Sequence, residues 1–389
     1  MLPMRIAMFS WEALHGAPVG GVATHVTELS AALQRRGHEV HVFTRPGYGS
    51  GGVSRIDGVW YHHCPHNLIP SFMDEVQDMC KSFVWHFNRS EDHIGRFDVV
   101  HGHDWLGVSA MAWIKEGRPD HRAVLTMHST EYGRCGNVFH NGSSERIRKH
   151  EWYGTYKADR VIAVSNSLKG ELKWMYNLPD WKVSVVYNGV SVHHFDGWVD
   201  PGAIKRRYGI GPTDPTVLFM GRLSVQKGPD LLVEAMPGLL KHYPATKFIF
   251  AGEGHLRGDL ERRVQQLGVA HAARWFGRLN PQEQADMFRA CDVVCVPSRN
   301  EPFGIIVLEA WAAGKPVVAT QTGGPNEIIW HTINGLKVYP TPESLGWGLG
   351  TLFTNWDWAR RMGRYGRTDA ETQFSWDRIA EHTERCYAS

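Results

Sequence analysis

Two glutamates, Glu301 and Glu309, stand with seven residues between them in the stretch VPSRNEPFGIIVLEAWAAGKPVVATQTGGPNEII, residues 296–329. The segment CDVVCVPS reads as a buried parallel strand that runs out of apolar residues at Pro297, IIVLEAWAAG as a helix closed by Gly314, and PVVAT as the next strand. Glu301 therefore falls on a loop at the C-terminal end of a strand, the edge at which open α/β sheets bind ligands. The helix beginning near Phe303 points its free N–H groups and its positive dipole end into the same crevice, so an anion is expected there. At ~1.5 Å per helical residue Glu309 sits about 10 Å from Glu301. That span suits a sugar at one end, a diphosphate over the helix terminus and a ribose at the other. Moving a sugar off a diphosphate needs cations on the leaving group. Arg222 and Lys227, in GRLSVQKG, follow the strand VLFM and would lie at the same kind of sheet edge.

The elements needed to hold these groups are legible along the chain. MRIAMFS is a strand, VGGVATHV a glycine turn, and Val22, Val26, Leu29 and Leu33 repeat at helical spacing up to Gly37, before the strand HEVHVFT. The same strand, loop, helix and strand return in TVLFMGRLSVQKGPDLLVEAMPGLLKHYPATKFIFAG. With 389 residues the chain exceeds what one hydrophobic core usually holds, so the duplication predicts an α/β protein of two Rossmann-like, doubly wound domains. The expected divisions are an N-terminal domain at 1–195, a Gly/Pro-bearing linker at 196–215 and a C-terminal domain at 216–373. An insertion at residues 63–93 carries Phe72, Val76, Met79, Phe83 and Phe87 at helical spacing, which suits packing on the first domain more than peripheral membrane contact, with an acceptor groove as the other alternative. The formal net charge of +2 gives no bulk electrostatic reason for a nucleic-acid partner. No apolar run is long enough to span a bilayer and the N-terminus reads as a strand, not a signal peptide, so a cytoplasmic protein is expected. The six cysteines include no CxxC pair, and disulfides are not expected.

With its flanks PSR, EPFG, GKPVVAT and TGGPNE, the glutamate pair closely resembles the retaining nucleotide-sugar glycosyltransferases of GT-B type, family 4, in the superfamily of glycogen and sucrose synthases. The resemblance covers nearly the whole chain. It implies two domains facing across a cleft, with the tail helix at 374–389 returning to the first. It implies metal-independent transfer of a hexosyl unit, glucosyl as first choice, from a nucleoside diphosphate sugar to a carbohydrate or other hydroxyl acceptor, with no cofactor. By the same resemblance Glu301 and the backbone of Phe303, Gly304 and Ile305 hold the donor sugar, Glu309 holds the ribose hydroxyls, and Arg222 and Lys227 take the diphosphate. Gly252, in the strand end FIFAG, is implied near the base, and Glu327 sits at a third helix start. Gly20 and Gly21 let backbone N–H groups approach the ligand from the first domain. The K-x-G-G lysine of glycogen and starch synthases is replaced here by Pro18, a departure that counts against those glucan synthases in particular and leaves the wider family resemblance standing.

The histidines carry two readings. In HGHDW, His103 occupies the place of the family histidine that touches the donor sugar near the reacting carbon, and His128, in TMHS, is assigned to the acceptor side. Alternatively His101 and His103 form an H-x-H metal pair of a hydrolase, although Asp104 falls one place early for that pattern. A nucleotide-sugar epimerase or hydrolase on the same frame is the other alternative. In VYNGV, Asn188 and Gly189 match a family turn in which Ser191 replaces the usual aspartate.

Overall fold

The computed structural model describes residues 2–47 and 51–388, which form two compact units, Met1–Gly189 with Trp376–Ser389, and Val190–Ser375. In the first unit β1 (Arg5–Ser10), β2 (Glu39–Thr44), β3 (Gly52–Ile56), β4 (Val59–His63), β5 (Val99–His103), β6 (Arg122–Met127), β7 (Arg160–Ala163) and β8 (Val183–Val185) make one sheet. Its order is β3-β4-β2-β1-β5-β6-β7-β8. All neighbours are parallel except the β3–β4 pair. In the second, β9 (Thr216–Met220), β10 (Lys247–Ala251), β11 (Ala273–Phe276), β12 (Val293–Val296), β13 (Val317–Thr320) and β14 (Leu336–Val338) form a wholly parallel sheet ordered β11-β10-β9-β12-β13-β14.

Helices cover the faces of these sheets, which is why strands such as VVCV and VVAT are apolar without alternation and buried at every residue. In each sheet the winding reverses beside the first strand of the unit, at β1/β5 and at β9/β12. The crevice outside the strand ends at such a reversal is where this architecture places ligands.

The insertion folds as a helix, Phe72–Ile94, capped by the Ser71 side chain. Val76, Met79, Phe83 and Phe87 are fully buried, and the rings of Phe83 and Phe87 lie 6.3 and 5.8 Å from that of Phe9 on β1. Those four are core of the first unit, whereas Phe72, at the helix start, is 47% exposed. Residues 196–215, expected as the linker, contain a helix, Pro201–Arg207, capped by Asp200 and anchored where the Lys205 ammonium reaches Asp292 at 2.7 Å. Burial of one face outweighed the Gly/Pro punctuation there.

The last helix, Trp376–Ala388, belongs to the first unit. Arg35 bonds Asp377, Arg36 and His38 both bond the buried Glu384, and the Tyr387 hydroxyl meets His101 Nδ1 at 2.8 Å. Among the described residues no disulfide links the six cysteines, and no helix is long and apolar enough to cross a membrane.

Candidate active site

In the second unit the Glu301 loop leaves β12 at the reversal point. The Lys227 ammonium lies 2.8 and 2.7 Å from the two oxygens of Glu301, and the Ser298 hydroxyl donates to Oε2 at 2.8 Å. Lys227 itself sits after β9, on the neighbouring strand of the crevice. The two loops are bound to each other through a residue that sequence reasoning passed over. Arg299 donates to Asp230 at 2.8 and 2.5 Å and to the Val225 carbonyl, while its own amide donates to Gln226 O. Its only sequence signal was its place in PSR. Lys227 was expected on a diphosphate and is found paired with the carboxylate expected to hold the sugar. Arg222 is exposed and makes no ion pair among the described residues.

The helix after this loop runs Ile305–Ala312, and its N-cap is Gly304 at φ 93 with no side chain capping it. The first amides thus keep the partial positive charge of an unsatisfied helix start. Phe303 is buried and its ring faces Phe374 at 6.4 Å, so only its backbone can serve a ligand. Glu309, one helical stretch on, is partly buried and accepts from the Gln284 amide at 3.0 Å. Burial pushes its carboxyl up to about 7 against the opposing pull of Gln284.

Two glycines are dictated by close backbone approach. At Gly323, φ 58, a Cβ would stand 2.0 Å from the Glu301 carbonyl oxygen, and the next amide, Gly324, donates to that oxygen at 2.9 Å. At Gly252, φ 135, a Cβ would stand 2.1 Å from Gly221 O. The TGG motif therefore fixes where Glu301 sits, and Gly252 packs the loop that bears Arg222. Glu327 lies in the first turn of the short helix Gly324–Ile328.

In the first unit Gly20 is the N-cap of the helix Gly21–Arg35. The amides of Val19 and Gly20 donate to Glu12 Oε2 at 2.8 and 2.5 Å, so the Gly20 N–H expected to meet a ligand is taken by a carboxylate in this conformation. Burial raises the Glu12 carboxyl above its ordinary value, against the hydrogen bonds from Gly20 and Val19. A lone Glu after a strand offered no motif by which to find it.

His103 ends β5 and is almost completely buried, and Asp104 follows it at φ 51, a left-handed conformation unusual for a residue with a side chain. The strain is held by the His128 amide, which donates to Asp104 Oδ1 at 2.7 Å. His103 Nδ1 lies 3.3 Å from His128 Nε2, and His25 joins them, its ring centroid 4.5 Å from that of His128. His25 Nδ1 meets Asn188 Oδ1 at 2.7 Å, which gives the VYNGV turn a role in orienting this ring. His25 was missed, and its helical position four residues past Gly21 was the available signal. Burial, with further depression from neighbouring imidazoles, holds His25 and His103 well below the ordinary histidine value, and burial brings His128 down to about 3, so all three are neutral. The H-x-H pair does not form a ligand set: both ring nitrogens of His101 are engaged, by Tyr387 and by Thr126 Oγ1 at 2.7 Å.

Comparison with known proteins agrees with this architecture. Residues 202–369 match the family described as Glycosyl transferases group 1, and residues 19–194 match Glycosyltransferase Family 4. The uncharacterized glycosyltransferase MJ1607 of Methanocaldococcus jannaschii is 37% identical over 99% of this chain and 98% of its own length. Among solved structures, sucrose-phosphate synthase from Thermosynechococcus elongatus superposes with a TM-score of 0.81 at 23% identity, over 99% of this chain and 98% of the other. Anabaena Alr3699/HepE in complex with UDP-glucose gives 0.79 at 18% identity, over 99% and 100%. The chain belongs to the GT-B glycosyltransferases of the glycogen and sucrose synthase-like superfamily.

Proposed function

We propose that the chain transfers a glucosyl unit from a nucleoside diphosphate sugar to a hydroxyl acceptor, with retention of anomeric configuration and without a metal. The observation that carries this reading is Glu301, held by Lys227 and Ser298 at the mouth of the β9/β12 crevice beside an uncapped helix start. An acidic group that receives sugar hydroxyls, a cation and a positive dipole end are the parts a sugar diphosphate needs. The UDP-glucose bound by the Anabaena neighbour supports the choice of donor.

In this reading Glu301 and the backbone of Phe303, Gly304 and Ile305 take the sugar, and Glu309 takes the ribose. Lys227 and Arg222 neutralise the diphosphate, Gly252 lies beside the base, Gly21 serves from the first unit, and His103 supports the sugar near its anomeric carbon. The bond from that carbon to the phosphate oxygen breaks as the acceptor oxygen attacks the same face, and the acceptor proton passes to the departing phosphate. Lys227 is placed to follow the charge, exchanging part of its pairing with Glu301 for the leaving group. His128 faces the acceptor.

The test is transfer from UDP-glucose to a panel of sugar acceptors in excess EDTA, with the anomer of the product read by NMR. Wild type is expected to give the α-linked product, and Glu301→Gln to lose about 10²–10³ in kcat, the scale of removing one positioned transition-state group. A β-linked product would overturn retention. Undiminished transfer by Glu301→Gln would overturn the role of that carboxylate.

A further inference from the structure

The geometry points to a zinc-class cation site made by His25, His103 and His128, at which the bound metal blocks transfer. One ring nitrogen from each of the three lies within 4.8 Å of the others. His103 Nδ1 and His128 Nε2 are 3.3 Å apart, which is about the separation of two imidazole nitrogens on one tetrahedral zinc with Zn–N near 2.0–2.1 Å. Side-chain shifts of about 1.5 Å or less would bring in the third ligand, starting from the 4.8 Å limit.

Two further observations are independent of that spacing. The nitrogen His25 Nε2 is buried and without a hydrogen-bond partner, and His25 is only 3% exposed. A buried polar atom left unmatched is costly, and a cation is one group that would satisfy it. The Asn188 carbonyl oxygen can only accept, so the contact at 2.7 Å places the proton of His25 on Nδ1 and leaves the Nε2 lone pair free. That is the arrangement in which metal-binding histidines are held, with the outer ring nitrogen bonded to an oxygen. His101 does not compete, both of its nitrogens being bonded. His128 is partly exposed and provides the way in.

The inhibitory consequence rests on the proposed role of His103, because an ion held on that ring brings positive charge beside the donor sugar's anomeric carbon, where an oxocarbenium-like centre develops; the metal site itself does not depend on that role. Chelator-treated full-length protein is titrated with Co2+, whose visible absorption reports tetrahedral coordination, and the bound ion is then displaced with Zn2+. One ion per chain is expected, without the thiolate-to-cobalt charge-transfer band that cysteine ligation would give. His25→Gln and His128→Gln are expected to abolish the spectrum, and Asn188→Ala to weaken binding about tenfold; near-UV circular dichroism checks that each is folded. Should His25→Gln fail to fold, Asn188→Ala and His128→Gln decide the matter. A thiolate band, or a spectrum unchanged in the folded variants, would overturn the site. One equivalent of Zn2+ is expected to stop transfer from UDP-glucose and EDTA to restore it; transfer undiminished with the site filled would overturn the inhibition. A protein that binds Co2+ at the three histidines yet shows no transfer under any condition would count against the transferase reading alone.

Discussion

Glu301 and Glu309 share a motif but answer to different physics. Glu301 is neutralised by Lys227 at hydrogen-bond distance. Among the described residues Glu309 accepts from one amide, that of Gln284, and burial has moved its carboxyl up to about 7. A carboxyl whose folded value exceeds the unfolded one of about 4.3 costs stability once pH rises above 4.3, and the cost is fully developed above 7. Glu309→Gln keeps the shape and removes the charge. It is therefore expected to melt higher than wild type at pH 8, by a margin that shrinks at pH 5 and is gone near pH 4, while binding UDP more weakly at pH 8. Melting curves at the three pH values check the first part and calorimetric titration with UDP the second. A variant no more stable at pH 8 would mean that the site solvates its carboxylate, and binding equal to wild type would remove the ribose role. Tolerating an unfavourable charge is what a ligand site does when the ligand, not the fold, repays it.

At the scale of elements, the strands and the glutamate spacing were readable because both are local: apolar runs bounded by polar loops, and two residues on one loop-helix unit. The interactions that aim the site are not local. Lys227 reaches Glu301 across 74 positions, and Asn188 reaches His25 across 163. No periodicity within either segment encodes such partners. Gly323 and Gly252 were visible as glycines, yet their reason, a neighbouring backbone about 2 Å from any Cβ, exists only after the sheet has formed. The helix at Pro201–Arg207 was missed because Pro201 and Gly202 read as breakers, whereas Pro at a first turn is permitted there.

The terminal helix is pinned by a device of the same non-local kind. Glu384 is 4% exposed and bonded by Arg36 and His38. Burial alone would raise its carboxyl, but the bonds from Arg36 and His38 outweigh it and hold it below the ordinary value. A depressed carboxyl contributes stability above its unfolded value of about 4.3, and that contribution is lost as pH falls through the folded value. Glu384→Ala leaves the buried His38 ring nitrogen without its hydrogen-bond partner, while Arg36 remains in water, and is expected to cost about 1–3 kcal/mol in urea unfolding at pH 7. The difference from wild type narrows below pH 4. A cost under about 1 kcal/mol at pH 7 would place this pair with ordinary surface ion pairs.

For the whole molecule, the division into two compact units makes the location of the nucleotide a thermodynamic question. The anion-receptive helix start, Lys227, Arg222 and both glutamates of the motif all belong to Val190–Ser375. A ligand that binds only the folded state stabilises what it binds by RT ln(1 + [L]/Kd), about 2.7 kcal/mol at a hundredfold excess over Kd. Dividing by an unfolding entropy of about 2.1 cal/mol/K per residue, a unit of about 190 residues should melt about 7 °C higher. Unfolding of the whole chain as one block would spread the same free energy over twice the entropy and move by about half as much. Scanning calorimetry with UDP is therefore expected to show two transitions of which one moves by the larger amount. Saturating UDP-glucose tests whether the sugar engages more: if His103 meets the sugar, the second transition should rise as well, and His103→Ala should remove that rise while leaving the shift due to UDP. A shift by UDP confined to the transition of Met1–Gly189 would place the nucleotide in the wrong half of the chain and end the assignment of Glu301, Glu309 and Lys227 to the donor.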